Sequence, residues 1–263
     1  MFLRKFQRKF LVVIILAMAF PMIALLVSRL SESEIIQEPI PSAIVYKPTD
    51  STSSPQVTPK VSSIPTKLPS VSPQLPVEIN LAIPFTSQAP NQNWVLPFKE
   101  FCEEASVLMV MSYVNRQLIN NPDYASQKML EIKTFEESRF GYYQDTNAEE
   151  TAIIMREFYD YTRVRVVYDP KIEDIKKALG EGKAVIMPAA GRMLGNPYFQ
   201  QPGPLYHMIV IKGYTKTGNF ITNDPGTRHG ADFIYSPEIL MSANHDWNGG
   251  DVENGRKAVI VVG

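Results

Sequence analysis

Residues 97–113 read PFKEFCEEASVLMVMSY and predict a helix around the chain's single cysteine, Cys102. Apolar residues recur in this stretch at spacings of three and four, which is the period of one helix face. Pro97 is typical of a helix start, because its fixed φ suits the first turn and its missing N–H is not needed there. The thiol is therefore expected in the first or second turn of a helix.

Two more helices are predicted downstream, followed by strands. Asn147 with Glu150 three residues on is a capping signal, and a third helix over 172–179 should stop at Gly180. After Gly182 the chain has short runs rich in Val and Ile, bounded by Gly, Pro and Asn, which predict strands. These runs are 184–187, 207–211, 220–222 and 258–262. Helices first and strands second predict an α+β domain, with an antiparallel sheet half after a helical half.

The N-terminal part of the chain has a different composition from the rest. Basic residues at positions 4, 5, 8 and 9 precede an uncharged apolar run, Phe10–Val27. This pattern predicts one transmembrane signal anchor within residues 1–30, with a cytoplasmic N-terminus and an extracytoplasmic domain on a cell membrane. A cleaved signal peptide is the alternative, but the run is long for one and no convincing small-x-small cleavage site follows it.

Residues 31–77 are rich in Pro, Ser and Thr and predict a disordered linker. The folded domain is then expected over 78–263.

Charge and motif content exclude several function classes. The formal net charge is -1, with 26 Lys and Arg against 27 Asp and Glu, so the basic footprint of a nucleic-acid-binding protein is absent from the sequence. The phosphate-binding pattern G-x-x-x-x-G-K-[ST] does not occur, so no ATP is expected. The histidines lack metal-ligand spacing and one Cys cannot form a thiolate site, so we expect no metal and no other cofactor.

Cys102 is the candidate nucleophile. A lone thiol outside the cytoplasm is exposed to oxidation and needs a reason to be kept, although a small buried apolar side chain is the alternative. A helix start favours the thiolate through unpaired N–H groups. Glu103 and Glu104 would oppose ionisation unless they point away from the sulfur.

Three histidines can be weighed as the base. His207 begins a predicted strand about a hundred residues after the cysteine, a separation at which the two groups meet only in the fold. A satisfied core histidine is the alternative for His207. His229 and His245 lie in Gly- and Asn-rich stretches, where loop or surface roles are expected.

The remaining candidates would orient the base or bind an oxyanion. Asp224 ends the next strand and could accept a hydrogen bond from the imidazole, as could Asn223, although Asn-Asp-Pro-Gly is also an ordinary turn sequence. Gln88 could donate its side-chain amide to the oxyanion of acyl transfer, with Gln92 as a second choice.

Taken together, several motifs resemble the stand-alone C39-like cysteine peptidase domains, relatives of the papain-like bacteriocin-processing peptidases. The motifs are IPFTSQ at 83–88, FCEEAS at 101–106, GRMLGNPYF at 191–199, GPLYHM at 203–208 and TNDPGTR at 222–228. The resemblance implies a papain-like fold in which Cys102 attacks, His207 is the base, Asp224 orients it and Gln88 contributes to the oxyanion hole. The spacing from Gln88 to Cys102 is longer than in the bacteriocin-processing enzymes, and without an ATP-binding cassette their coupled export does not carry over.

These features together predict a membrane-anchored cysteine peptidase that hydrolyses peptide or amide bonds of a peptide or protein substrate through a thioester. Two alternatives stay open on the sequence. One is a catalytically silent papain-like module that binds peptide or cell-wall material, and the other is a transglutaminase-like acyl transferase.

Overall fold

The computed structural model describes residues 35–47 and 75–263. Within these two stretches, no helix is both long and apolar enough to cross a bilayer. The predicted anchor over residues 10–27 lies outside the described residues, as does the part of the predicted linker from 48 to 74.

Five α-helices are described, and local signals explain where most of them begin and end. They are α1 Cys102–Val114, α2 Pro122–Phe140, α3 Ala148–Ile153, α4 Ile172–Gly180 and α5 Pro237–Ala243. Asn121 caps α2 through a bond from the Tyr124 N–H, and Gly141 ends it in the left-handed conformation. Asn147 and Glu150 form the predicted capping box of α3, which continues as a π-helical turn over Ile154–Phe158.

The described strands form one antiparallel sheet. They are β1 Ile79–Asn80, β2 Val164–Tyr168, β3 Ala184–Ala190, β4 Tyr206–Tyr214, β5 Phe220–Asn223, β6 Phe233–Tyr235 and β7 Ala258–Val262. Their order is β2-β7-β3-β4-β5-β6, with β1 beside the end of β4. The predicted α+β class with an antiparallel sheet is confirmed, although β2 lies within the helical half of the sequence.

The core lies where α1 packs against the central strands. Every residue of α1, β3, β4 and β7 is buried, so helices and loops cover both faces of the central sheet. The Ser106 hydroxyl donates to the Met208 carbonyl at 3.3 Å, which fixes the start of α1 against the start of β4. This packing places Cys102, four residues before Ser106, close to the first residues of β4.

Part of the stretch that the sequence assigns to a linker packs on the domain. Ile44 pairs with Leu81 in an isolated bridge, and Tyr46 is buried against Tyr113 with ring centroids 5.2 Å apart. The Glu38 carboxylate accepts hydrogen bonds from Thr217 and Asn219 in the β4–β5 turn. Residues 36–47 therefore belong to the same compact unit as the domain, which differs from the expected start at residue 78.

Candidate active site

Cys102 is the first residue of α1, and the backbone around it provides a positive environment. The first bond of the helix runs from the Ala105 N–H to the Phe101 carbonyl, and Phe101 offers no side-chain cap. The N–H groups of residues 102–104 therefore have no acceptor within the helix, and they form the positive end of its dipole. The sequence predicts a helix start a few residues earlier and the thiol in the first or second turn, and the structure has Cys102 as the first helical residue.

The side chains around the thiol oppose ionisation. The Cys102 Sγ donates to Glu103 Oε2 at 2.9 Å. Burial raises the pKa of the Cys102 thiol well above its ordinary value, and Glu103 and then Glu104 raise it further. The backbone of Met208, the residue after His207, acts in the opposite direction and lowers the pKa of the thiol.

His207 lies at the start of β4 with its ring fixed at one end. Its Nε2 is 2.8 Å from Asp224 Oδ1, and both side chains are almost fully buried. The Asp224 carboxylate accepts this bond when Nε2 carries the proton, which leaves Nδ1 as the acceptor of the neutral ring. In the described part of the chain no hydrogen bond joins the thiol to the imidazole, because the sulfur is turned toward Glu103.

The Asp224 carboxylate is held by donors on both of its oxygens. Oδ1 also accepts from the Gly226 N–H at 3.0 Å. Oδ2 accepts from the Asn196 amide at 2.9 Å and from the Tyr235 hydroxyl at 2.7 Å. Burial alone would raise the pKa of Asp224, but the charge of His207 and these hydrogen bonds outweigh it and hold the pKa below its ordinary value. Asp224 therefore stays an anion that can fix the imidazole tautomer.

Two close contacts fix the position of the His207 ring. The Phe199 ring packs edge-on against it, with centroids 5.3 Å apart and planes at 85°. A Cβ on Gly226 would lie 2.8 Å from the imidazole Cε1 and 2.9 Å from Nε2. Only glycine lets the backbone approach the ring this closely.

Gln88 lies near the site, but its amide donors are engaged. Its Nε2 donates to the Lys99 carbonyl at 2.6 Å and to the Phe98 carbonyl at 3.2 Å, in the 3₁₀ turn that precedes α1. Its backbone N–H donates to the Pro225 carbonyl at 3.0 Å. Gln88 therefore links the cysteine segment to the Asp224 loop, and it would have to release a carbonyl to bind an oxyanion.

The other candidates occupy different places. Asn223 is directed away from the imidazole, because its amide donates to the Ile83 and Pro84 carbonyls and its Oδ1 accepts from the Asp232 N–H. Gln92 lies in an exposed loop. His229 stacks on Tyr198 with centroids 4.5 Å apart, and the His245 Nδ1 is 2.7 Å from the Gly255 carbonyl. Asp224 is thus the residue that the fold pairs with His207.

Three buried carboxyl groups lie behind the thiol. Oxygens of Glu103, Glu104 and Glu136 lack hydrogen-bond partners within the described residues. Burial raises the pKa of Glu103 to about 8 and that of Glu136 to about 9, and it raises the pKa of Glu104 as well. These groups therefore favour their neutral acid form, which lowers the negative charge beside Cys102 at neutral pH. No group of three or more His, Cys, Asp or Glu in the described stretches is arranged to hold a metal ion.

Sequence reasoning missed the two side chains that position Asp224. Asn196 lies within the GRMLGNPYF motif, which supported the family resemblance, but no role was predicted for any of its residues. Tyr235 has no local signal, because its hydroxyl reaches Asp224 only through the pairing of β5 with β6.

The arrangement has the parts that thiol-based acyl transfer needs. A buried thiol lies at a helix start, and an imidazole with a free acceptor nitrogen lies at the start of the strand against which that helix packs. A carboxylate of lowered pKa fixes the far side of the imidazole.

Comparisons with known proteins place the chain among peptidase-like sequences. The model of the Peptidase_C39 like family matches residues 80–248. A crystal structure of a presumed C39-like peptidase from Bacillus anthracis is 14% identical, with a TM-score of 0.46, over 71% of this chain and 98% of that one. No match was found among curated proteins.

Two structures from Prevotella intermedia are also similar. A mutant fragment of prointerpain A is 13% identical, with a TM-score of 0.36, over 55% of this chain and 43% of that one. The active wild-type interpain A cysteine protease is 17% identical, with a TM-score of 0.32, over 53% of this chain and 55% of that one.

Proposed function

Because the chain belongs to the Peptidase_C39 like family, we propose that it is an active cysteine peptidase that hydrolyses peptide bonds with Cys102 as nucleophile, His207 as base and Asp224 as the group that orients the base. The observation that carries the proposal is the 2.8 Å contact between His207 Nε2 and Asp224 Oδ1, because it leaves Nδ1 as a proton acceptor at the start of β4, the strand on which the start of α1 packs. A merely structural histidine does not need a buried anion held by three further donors.

In the acylation step, the thiol turns from Glu103 and passes its proton to His207 Nδ1. The sulfur then attacks the scissile carbonyl carbon, and the carbonyl oxygen becomes an oxyanion. The unpaired N–H of Cys102 at the helix start is a donor for that oxygen. The Gln88 amide is a second donor if it exchanges a backbone carbonyl for the oxyanion. The C–N bond breaks as Nδ1–H protonates the leaving amine, and a thioester remains.

In the deacylation step, a water molecule gives one proton to Nδ1, and its oxygen attacks the thioester carbonyl. The C–S bond breaks, the carboxylic product leaves, and the proton on Nδ1 returns to the sulfur. Asp224 stays ionised throughout and stabilises the imidazolium that forms twice in each cycle.

The single cysteine makes a direct test available. A thiol-directed alkylating probe on the full chain, purified in detergent, should label one site, and peptide hydrolysis should stop in proportion to labelling. Cys102→Ala should abolish both, and His207→Ala should lower hydrolysis at least about a thousandfold while leaving the fold intact. Hydrolysis that persists in Cys102→Ala would refute the proposal.

One observation favours the catalytically silent binding module instead. The thiol donates to Glu103 and its pKa is raised, as expected for an unreactive buried cysteine. In that case wild-type protein would retain peptide or cell-wall material without turnover, and Cys102 would react no faster than free cysteine. A transglutaminase-like transferase would instead form a new amide when a primary amine is added.

The membrane anchor is a separate proposal. We infer from the uncharged run Phe10–Val27 and its basic N-terminal flank that the chain is held in a membrane with the domain on the extracytoplasmic side. A Ser62→Cys substitution in a Cys102→Ala background should react with a membrane-impermeant maleimide in intact cells. Protection of that thiol would contradict the orientation, and a mature N-terminus beyond residue 27 would indicate a cleaved signal peptide.

A further inference from the structure

A surface cavity adjoins the proposed base. It has a volume of about 550 Å³ and lies between three loops, which contribute residues 92 and 94, 198–200 and 226–229. Two of its lining residues, Phe199 and Gly226, are the same residues that contact the His207 ring. A group bound in this cavity would therefore lie close to the His207 ring.

The lining of the cavity combines aromatic surface with one permanent cation. Trp94, Tyr198 and Phe199 supply the aromatic walls, and Arg228 supplies the charge. Of the described residues that line the cavity, none carries a carboxylate. No salt bridge to Arg228 occurs in the described part of the chain, and its Nε donates to the neighbouring His229 Nε2 at 3.1 Å. The Nη groups of the guanidinium are thus available to an incoming anion.

The His229 ring supports the position of Arg228. It stacks on Tyr198 at 4.5 Å with planes 29° apart, so the imidazole is held in place while it accepts from the Arg228 guanidinium. A guanidinium presents paired N–H donors that match the two oxygens of a carboxylate. An Arg fixed at the edge of an aromatic cavity can therefore select for that group.

We propose that this cavity, the Arg228 pocket, is a substrate subsite that selects a carboxylate next to the scissile bond. The proposal rests on the proposed peptidase function. The carboxylate comes either from an Asp or Glu side chain or from the free C-terminus of a short peptide. The aromatic walls hold the adjoining apolar part of the same residue, and Arg228 pairs with its charge.

The test is a positional library of internally quenched peptides, cleaved by the full-length wild-type protein in detergent. Each position carries Glu or its neutral isostere Gln in turn, and each peptide is made as a free acid and as a C-terminal amide. One position should favour Glu over Gln by about tenfold in kcat/KM if the side chain is the source. A matching preference for acid over amide would identify the C-terminal carboxylate.

Substitutions at Arg228 test whether this residue causes the preference for a carboxylate. Arg228→Gln should reduce the tenfold ratio to about one, and Arg228→Glu should reverse it in favour of Lys at the same position. Arg165→Gln is the matched control, because Arg165 is an exposed residue of β2 at the other side of the sheet. It should leave the ratio unchanged.

The outcomes separate this subsite from the peptidase activity. Equal cleavage of Glu and Gln peptides, and of acids and amides, would overturn the subsite while leaving the peptidase intact. A preference that survives Arg228→Gln would overturn it too. If no peptide is cleaved, calorimetric binding of the same panel to Cys102→Ala still decides the point. Binding that favours the carboxylate and is lost in Cys102→Ala with Arg228→Gln supports the subsite, and equal binding refutes it.

Discussion

At the scale of single residues, the thiol has one observed partner and a different proposed one. Glu103 accepts its hydrogen bond, whereas the proposed reaction needs its proton to pass to His207. The sequence already indicates this conflict, because the adjacent acids Glu103 and Glu104 oppose formation of the thiolate. The fold resolves part of it by burying the carboxyl group, so that the pKa of Glu103 is about 8 and the group is mostly neutral at pH 7.

Replacing Glu103 with Gln should make the thiol easier to ionise. In the wild type, a rise in pH through about 8 ionises Glu103 beside the sulfur, which pushes ionisation of the thiol to still higher pH. Gln keeps an acceptor but removes that charge. The pH profile of Cys102 alkylation should therefore shift to lower pH, and alkylation at pH 7 should become faster. Glu137→Gln, at an exposed position on α2, is the control and should leave the profile unchanged.

Tyr235 gives a test of the carboxylate that orients the base. Tyr235→Phe removes a 2.7 Å donor from Asp224 Oδ2, so the anion is less stabilised and its pKa should rise. Acid unfolding of the variant should then begin at a higher pH than that of the wild type, because the buried carboxylate is protonated sooner as the pH falls. We expect a loss of about 1.5–3 kcal/mol in the stabilisation of the carboxylate, as is usual for a hydrogen bond to a charged group. An unchanged midpoint of acid unfolding would show that Tyr235 does not stabilise the Asp224 anion.

At the scale of elements, α1 and α2 enclose carboxyl groups that the folded state prefers to protonate. Glu136 of α2 lies against Glu104 of α1, and within the described residues neither Glu136 oxygen has a hydrogen-bond partner. Burial raises its pKa from the ordinary 4.5 to about 9. Between these two pH values the folded protein binds more protons than the unfolded chain, so stability must fall as pH rises.

This difference in proton binding predicts an unusual pH dependence of the melting temperature. The melting temperature should be higher near pH 5 than near pH 8.5, and each such group can contribute up to about 1.4 kcal/mol per pH unit. Glu136→Gln should flatten the slope, because an amide does not titrate. Measurement by differential scanning calorimetry across this range checks the sign. A melting temperature that climbs steadily from pH 5 to pH 8.5 would contradict it.

The helices and strands also show which parts of the fold could be predicted from the sequence. The capping box at Asn147 and the Val- and Ile-rich runs are local signals, and the structure has α3 and the strands at those places. The strand β2 was missed, because its exposed Arg165 and partly exposed neighbours do not form an apolar run. The helix α2 was missed because its apolar residues are sparse.

In the candidate site, too, only the features with a local sequence signal could be predicted. The order of Gln88, Cys102, His207 and Asp224 could be extracted from motifs, but the engagement of Gln88 by two carbonyls and the turn of the thiol toward Glu103 depend on contacts between distant segments. No periodicity or spacing reports such contacts.

At the scale of the whole molecule, the segment 36–47 makes the domain larger than its composition indicates. Tyr46 is 4% exposed, and its ring fills a space beside Tyr113 and Tyr161. Tyr46→Ala should therefore cost about 3 kcal/mol of unfolding free energy, a fall of roughly 6–12 °C in melting temperature.

The neighbouring residue provides the control. Val45 is 63% exposed, so Val45→Ala should leave the melting temperature almost unchanged. Equal, small effects of both substitutions would mean that this segment does not stabilise the domain in solution.

Segment 36–47 attaches at one end of the domain, and the proposed active site lies at the other end. Glu38 binds the turn after Tyr214, and Tyr46 packs near the last residue of α1, whereas His207 and Cys102 lie at the first residues of β4 and α1. Seven strand residues at about 3.3 Å each place these two ends roughly 23 Å apart. The point at which segment 36–47 packs on the domain therefore lies at the opposite end of β4 and α1 from the proposed Cys102 and His207 pair.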